Sequence, residues 1–364
     1  MSSVKPTQHT NFEPEHHQEV PVKEGKVYIA VSCLEHGHIY SMCRGMKEAG
    51  AVIRWVWDKD PEKIRDFQNA FPEAKRAASF QQILEDETVH MVACAAIPSE
   101  RCDTGLQVLD AGKHLFSAKA PFTTIDQLRA AEHKVKQTGL HWAVFYSERL
   151  QVECTGFAEQ LIQKGAIGEV VQVMGLGPHR LKINHRPEWF FQKDTYGGII
   201  CDIGSHQIEQ FLWFAGAEDA EVLSSTTRNH DHPEYPEFES YGDAHLRADN
   251  GVTHYFRVDW FTPDGLSNWG DGRTIILGTE GYIELRKYVD IPDSEGERLY
   301  LVNHGGERKY NVSGKVGYPY FYRLAHDIIE GTDTAMPQEH TFKAAELCLL
   351  AQQEADQLMA RRVD

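Results

Sequence analysis

No stretch of this sequence is apolar over the roughly 20 residues that a helix needs to cross a bilayer, so nothing in it reads as a membrane span. The segment from Met1 to Lys26 has no apolar run behind a basic start, and no secretory signal is expected there. Its Pro, His, Glu and Thr content predicts a disordered or loosely packed tail over residues 1–25. Positive charge is scarce: 37 Lys and Arg face 54 Asp and Glu, a formal net charge of −17. Such a surface repels phosphate backbones, which argues against a nucleic-acid partner. Paired thiols are missing as well. Cys33, Cys43, Cys94, Cys102, Cys154, Cys201 and Cys348 contain no CxxC, and most sit in apolar stretches such as Val92-Ala93-Cys94-Ala95, where Cys behaves as a small hydrophobe. A thiolate zinc site is therefore not expected, and a reducing, cytoplasmic setting is.

What is present is enough chain for two cores: 364 residues with 41% hydrophobic content and no low-complexity run. In the first half, short apolar runs alternate with helical patterns. Val27 to Val31 reads as a strand buried on both faces, and Ile39, Met42, Cys43 and Met46 fall on one helical face that Gly50 closes. Further strands are expected at Val52 to Trp57, Met91 to Ala96, His114 to Ser117 and Trp142 to Tyr146, with helices between them. This alternation predicts right-handed βαβ units and a doubly wound parallel sheet over residues 26–147, a Rossmann arrangement. Ligands on such sheets lie beyond the carboxyl ends of the strands, so the residues there are the ones to inspect.

After the first strand comes Ser32-Cys33-Leu34-Glu35-His36-Gly37-His38. A dinucleotide loop reads GxGxxG, letting backbone amides and a helix N-terminus meet the pyrophosphate. Here Ser32 and Leu34 stand at the first two glycine positions, and Gly37 keeps the third. Asp58 ends the second strand 21 residues past Gly37, where a carboxylate reaches an adenosine ribose. The other reading of Asp58 is a loop residue capping the helix after Pro61. The combination favours dinucleotide binding.

Past Glu148 the pattern changes. A helix is expected from about Val152 to Lys164, then extended stretches at 170–175, 220–225, 244–248, 254–262, 274–278 and 282–288, several joined by turn residues such as Asp249-Asn250-Gly251. Strands without intervening helices predict, for residues 148–364, an α+β domain built on a large, mainly antiparallel open sheet with helices on one face. A last helix, about Ala344 to Met359, is expected to pack back on the body. Within this half, Gly197-Gly198-Ile199-Ile200-Cys201-Asp202-Ile203-Gly204-Ser205-His206 leads into a helix whose buried stripe is Ile208, Phe211, Leu212 and Ala215. If the helix begins by Asp202, that residue and His206 share a face at i, i+4, where a carboxylate orients an imidazole and raises its pKa. Alternatively, Asp202 is an N-cap and His206 a satisfied core histidine.

With these residues assembled, the sequence resembles the glucose–fructose oxidoreductase/inositol dehydrogenase (Gfo/Idh/MocA) family from about Lys26 to Gln353. The resemblance rests on Gly197-Gly198-x-x-x-Asp202-Ile203-Gly204-x-His206, on Gly278-Thr279-Glu280-Gly281-Tyr282-Ile283, and on Ala111-Gly112-Lys113-His114 leading to Lys119. It implies that Lys119, Asp202 and His206 are catalytic: His206 exchanges the hydroxyl proton, Lys119 stabilises developing negative charge and tunes the histidine, and Asp202 orients His206 and binds a hydroxyl. It implies a cofactor site formed by Ser32, His36, Gly37 and His38 in the loop, Asp58, Ala96 and Pro98 in the turn after the fourth strand, and Lys119. The cofactor is NAD, with NADP also possible, since Lys59 beside Asp58 screens its charge. The family's Glu-Lys-Pro is here Ala118-Lys119-Ala120, with Pro121 one place later, so the acid before the lysine is lost.

His179 and Arg180 after a strand, Trp189 before the glycine pair, and Tyr320 beside Pro319 suit a sugar ring, with hydroxyls to bond and C–H faces to stack; loop packing is the other account of each. A metal set of His179, Asp202 and His206 is set aside, because the redox reading uses two of them. The resemblance also implies face-to-face pairing of the second sheet into a homodimer or homotetramer. The function expected is hydride exchange with a sugar, cyclic polyol or sugar derivative, with no nucleic-acid or membrane partner. Two other readings share the same residues: a lyase or glycosidase that uses bound NAD transiently, and a non-catalytic dinucleotide sensor.

Overall fold

The computed structural model describes residues 12–360. The first half forms a sheet of strands β1 (Tyr28–Ser32), β2 (Val52–Trp57), β3 (Lys75–Arg76), β4 (Met91–Cys94), β5 (His114–Ala118) and β6 (Trp142–Phe145), in the order β3-β2-β1-β4-β5-β6 and parallel throughout. Every residue of β4 and β6 is buried, which is why these strands read as unbroken apolar runs rather than alternating ones. Helices α1 (His38–Glu48), α2 (Pro61–Ala70), α3 (Phe80–Glu85), α4 (Pro98–Asp110) and α5 (Ile125–Thr138) make the crossovers. The strand order reverses between β1 and β4, so the crevice beyond their ends is the place for a ligand. The helix after Pro61 is capped by Asp60, whose side chain accepts from Glu62 N, and not by Asp58.

Short helix α6 (Ser147–Leu150) and α7 (Glu153–Gln163) lead into the second sheet. It consists of β7 (Val170–Pro178), β8 (Ala220–Arg228), β9 (Tyr241–Ala248), β10 (Thr253–Asp259), β11 (Arg273–Gly278), β12 (Gly281–Arg286), β13 (Arg298–Asn303) and β14 (Gly306–Asn311), in the order β14-β13-β12-β11-β7-β10-β9-β8. Pairing is antiparallel except between β7 and β10. Between β7 and β8 lie α8 (Lys193–Tyr196), a π turn at Ile200–Gly204 and α9 (Ser205–Ala215); α10 (Pro319–Glu330) and α11 (Gln338–Ala360) end the described chain. One face of the sheet is covered by α7, α9 and α11. Glycines on β7 admit α9 closely: a Cβ at Gly175 would stand 2.3 Å from Gln207 Oε1. No helix of the described residues is long and apolar enough to cross a membrane.

Residues 1–11 of the expected loose tail lie outside the described residues. Residues 12–25 are not loose. Phe12 and Val22 are buried, and the backbone is tied at both ends, His17 N donating to Val316 O (3.0 Å) and Val22 N to Ala49 O (2.9 Å). Ahead of both, Glu15 exchanges two hydrogen bonds with Gln160. Two apolar anchors suffice to seat a segment whose composition is otherwise polar. Gly50 is required here: its φ is +93°, and a Cβ would stand 2.1 Å from Val22 O. Strands β13 and β14 were not anticipated, since the outermost, Gly-Glu-Arg-Lys-Tyr-Asn, is polar as an exposed edge strand should be.

Candidate active site

A cavity of about 530 Å³ opens beyond the carboxyl ends of the first sheet. His36, Gly37 and His38 reach it from the turn between β1 and α1, Pro98 and Arg101 from the first turn of α4, Lys119 from just past β5, and Glu148 from just past β6. Facing them are His179 and Arg180 after β7, Trp189, Asp202 in the π turn, His206 at the start of α9, and Trp260 after β10.

Lys119 and Asp202 form a direct ion pair, Nζ on Oδ1, with both side chains largely shielded from solvent. Burial alone would raise the Asp202 pKa, but the Lys119 charge and hydrogen bond outweigh it and hold the carboxyl at about 2. Arg101, 1% exposed, fixes the backbone beneath the lysine by donating to the carbonyls of Ala96 (2.7 Å), Ala120 (2.9 Å) and Lys119. With no acid before the lysine, the anchor comes from α4 instead.

Asp202 therefore serves Lys119, not His206, which corrects the i, i+4 expectation. That expectation assumed α-helical register from Asp202 onward. The observed π turn takes in an extra residue and carries the carboxylate round to the lysine. His206 is 2% exposed, and its Nδ1 is buried without a hydrogen-bonding partner. Its pKa is lowered to about 3, not raised: burial disfavours the cation, Glu148 partly opposes this, and the charge of Lys119 adds to it.

Glu148 is the carboxylate that answers His206. Its Oε2 accepts from Lys287 Nζ and Gln207 Nε2, each at 3.0 Å, while Oε1 is buried without a hydrogen-bond partner, 3.9 Å from His179 Nε2. Burial pushes Glu148 up, but Lys287 and the imidazoles of His206 and His179 bring it to about 2. His179 packs against Trp269 and Trp260 (ring centroids 4.6 and 5.5 Å), and burial takes its pKa down to about 4. His36 is lowered to about 3 and His38 well below its usual value, again chiefly by burial. At neutral pH these imidazoles are uncharged.

Other expected residues divide. Gly37, Pro98, Trp189 and His179 line the cavity. Arg180 lines it too, but its Nη2 donates to the carbonyls of Pro263 (2.8 Å) and Leu266 (2.6 Å), so the guanidinium shapes that loop. Tyr320 is not at the site. It is buried at the start of α10 against Phe116 and Phe321, a core position that the tyrosine–proline pattern does not distinguish from a binding one. Ser32 is fully buried, its Oγ 3.2 Å from Cys33 Sγ, and the carbonyl of buried Ala96 is held by Arg101. Asp58 accepts from Leu34 N (2.6 Å) and Asp60 N (2.8 Å), binding the altered loop to the end of β2. Nor do Gly197 and Gly198 leave room for a ligand: Gly198, at φ +93°, faces Gln352, which a Cβ would meet at 2.3 Å.

Sequence reasoning missed Glu148, Arg101, Arg186, Lys287, Trp260 and Trp269. The strand-end rule, which also covers Lys119 just past β5, applies to Glu148, three residues past β6. Lys287 has no local signal, since it meets Glu148 only when the second sheet is seated.

The loop fits a dinucleotide. Gly37 at the N-cap of α1 has no atom within 4 Å of where a Cβ would stand, the first helical N–H, that of His38, donates to His36 Nδ1 (3.1 Å), and His38 Nδ1 is buried without a partner. Among the described residues there is no group of three or more His, Cys, Asp or Glu arranged to hold a metal.

Residues 157–284 match the family model described as the GFO/IDH/MocA C-terminal domain. A crystal structure described only as an oxidoreductase, from Erwinia carotovora atroseptica SCRI1043, is 50% identical with a TM-score of 0.89, covering 90% of this chain and 98% of that one. The scyllo-inositol 2-dehydrogenase (NAD(+)) of Bacillus subtilis is 26% identical over 61% of this chain and 63% of its own length, so the match spans less than two thirds of that relative. Levoglucosan dehydrogenase, in complex with NADH and levoglucosan, shares the fold at a TM-score of 0.76 and 17% identity, covering 91% of this chain and 97% of that one.

Proposed function

Because the chain belongs to the GFO/IDH/MocA family, we propose that it is an NAD-dependent dehydrogenase or reductase acting on a CH–OH group of a sugar, cyclic polyol or sugar derivative. One observation carries the reading: Lys119, Asp202, His206 and Glu148 converge on a single cavity beyond the carboxyl ends of parallel strands. The bound nicotinamide supplies the hydride chemistry. Gly37, His36 and His38 would hold the phosphates of the dinucleotide, Pro98 and Lys119 would border its nicotinamide end, and Asp58 would disfavour a 2′-phosphate. Neutral His206 takes the substrate hydroxyl proton during oxidation and returns it during reduction. Glu148 stabilises the imidazolium while it lasts. Lys119, steadied by Asp202, faces the developing oxyanion, where a positioned cation lowers the barrier most. Trp189, Trp260 and Trp269 present ring faces to the sugar and keep water out.

Titration with each dinucleotide, followed by a sugar and polyol screen at NADH absorbance, tests this. NAD should bind more tightly than NADP, and NADH should accumulate with turnover. Tighter NADP binding overturns the role of Asp58. Binding of NAD without NADH formation on any polyol or sugar overturns catalysis.

The same reading includes self-association. Tyr255, Met174 and Ile275 stand side by side across β10, β7 and β11, with Leu277 and Tyr282 (43% and 40% exposed) beside them on the face that carries no helix. Phe256 and Val258 point into the core and Asp259 and Trp260 are buried as well, so in the run from Tyr255 to Trp260 only Tyr255 and Arg257 face outward. A contiguous exposed apolar row marks an interaction surface, and a second copy of this chain related by two-fold symmetry would cover it. Light scattering at micromolar concentration should give a dimer or tetramer mass, and Met174→Lys should lower it.

A further inference from the structure

We infer that the substrate carries a carboxylate, held by Arg186; this rests on the proposed carbohydrate oxidoreductase activity and narrows its substrate class. Among the described residues lining the cavity, charges cancel in pairs: Lys119 with Asp202, and Glu148 with Lys287 behind the wall. Arg180 lies 3.5 Å from Asp264. Arg101, Lys182 and Arg186 have no ion-pair partner among the described residues, and Arg101 is buried against backbone carbonyls. A protein of net charge −17 thus keeps an uncompensated positive charge in its site. A low-dielectric cleft focuses that field on an anion.

Arg186 is built to present its charge. Nε donates to Leu181 O at 2.8 Å, and the guanidinium carbon lies 4.4 Å from the Phe190 ring centroid and 4.8 Å from that of Trp260. Clamped by one hydrogen bond and two ring faces, the group is oriented before any ligand arrives. Its two terminal nitrogens have no hydrogen-bond acceptor among the described residues. That free end is a planar fork whose geometry matches a carboxylate or a phosphate bidentately, and its single charge balances the one negative charge of a carboxylate rather than the nearly two of a phosphate monoester. With Arg186 on the wall that bears Trp189 and Trp260, and Lys119 and His206 deeper in, the carboxylate sits at the end of the substrate away from the reacting carbon.

The test compares glucuronate, glucose and glucose 6-phosphate with the NAD-loaded enzyme. The kcat/KM ratio of glucuronate to glucose should exceed one, and Arg186→Met should lower that ratio roughly 10- to 100-fold, the value of a charge-assisted bidentate hydrogen bond. Arg186→Lys, which keeps the charge without the fork, should fall between. A preference for glucose or for glucose 6-phosphate overturns the inference. So does an Arg186→Met ratio equal to the parent's, which makes Arg186 a packing residue, or a weakened NAD affinity with the ratio intact, which makes it a cofactor contact. If no carbohydrate is turned over, the oxidoreductase reading fails, and the carboxylate site is judged by binding alone. Tryptophan fluorescence of the NAD-loaded protein then supports it if glucuronate binds more tightly than glucose and Arg186→Met removes the difference; equal affinities overturn it.

Discussion

Turnover by the His206→Asn enzyme is expected to fall roughly 10²- to 10⁴-fold while NAD still binds, the usual contribution of a positioned general acid or base. Asparagine keeps a polar group of similar reach but cannot take a proton. The pH profile adds a second readout. With its pKa near 3, His206 is already in the accepting form across the range where an ordinary imidazole would be titrating. The acid limb of kcat/KM for oxidation should therefore lie well below 6.5 and move up towards it in Glu148-intact variants that expose His206 to water. A histidine that merely filled the core would behave otherwise: the variant would melt earlier, and turnover per folded molecule would hold. Should Lys119→Ala produce the larger loss, the lysine is the proton carrier and the two roles exchange.

Glu148→Leu should destabilise the fold by about 3–5 kcal/mol, because it strands the Lys287 ammonium, 0% exposed, without its counter-charge. Breaking a buried pair costs far more than removing it whole. Glu148→Leu combined with Lys287→Met should recover most of the loss in chemical denaturation. If the double variant is no more stable than the single, the pair is not what holds this region. The double variant should remain slow in turnover even when stable, since His206 has lost the carboxylate that supports its cation.

Much of this was legible in the sequence where chemistry repeats locally. Buried parallel strands announce themselves as unbroken apolar runs, and His179 was found by standing at a strand end, while Lys119 came from the family resemblance. Asp202 and His206 were found by type and spacing, yet their partnership was misread, because a π turn leaves no mark in a residue pattern. Tyr320 was misplaced for a related reason: a buried aromatic and a ligand-facing aromatic have the same composition around them. Partners 139 residues apart, as Glu148 and Lys287 are, are set by how two sheets meet, and no window along the chain contains both.

The segment 12–25 and helix α10 together constrain the order in which the protein can be completed. Phe321 of α10 packs against Phe116 and Phe145 of the first sheet, and a Cβ at Gly45 on α1 would stand 2.5 Å from its ring. Segment 12–25 in turn bonds to Val316, Arg323 and His326, each about 300 residues further along. During synthesis the six parallel strands emerge with one apolar flank open, and their covering arrives only with the last helices. Contacts of such long span are slow to form and leave the open flank exposed to other chains meanwhile. The first sheet is thus assembled from local sequence but finished from a distance.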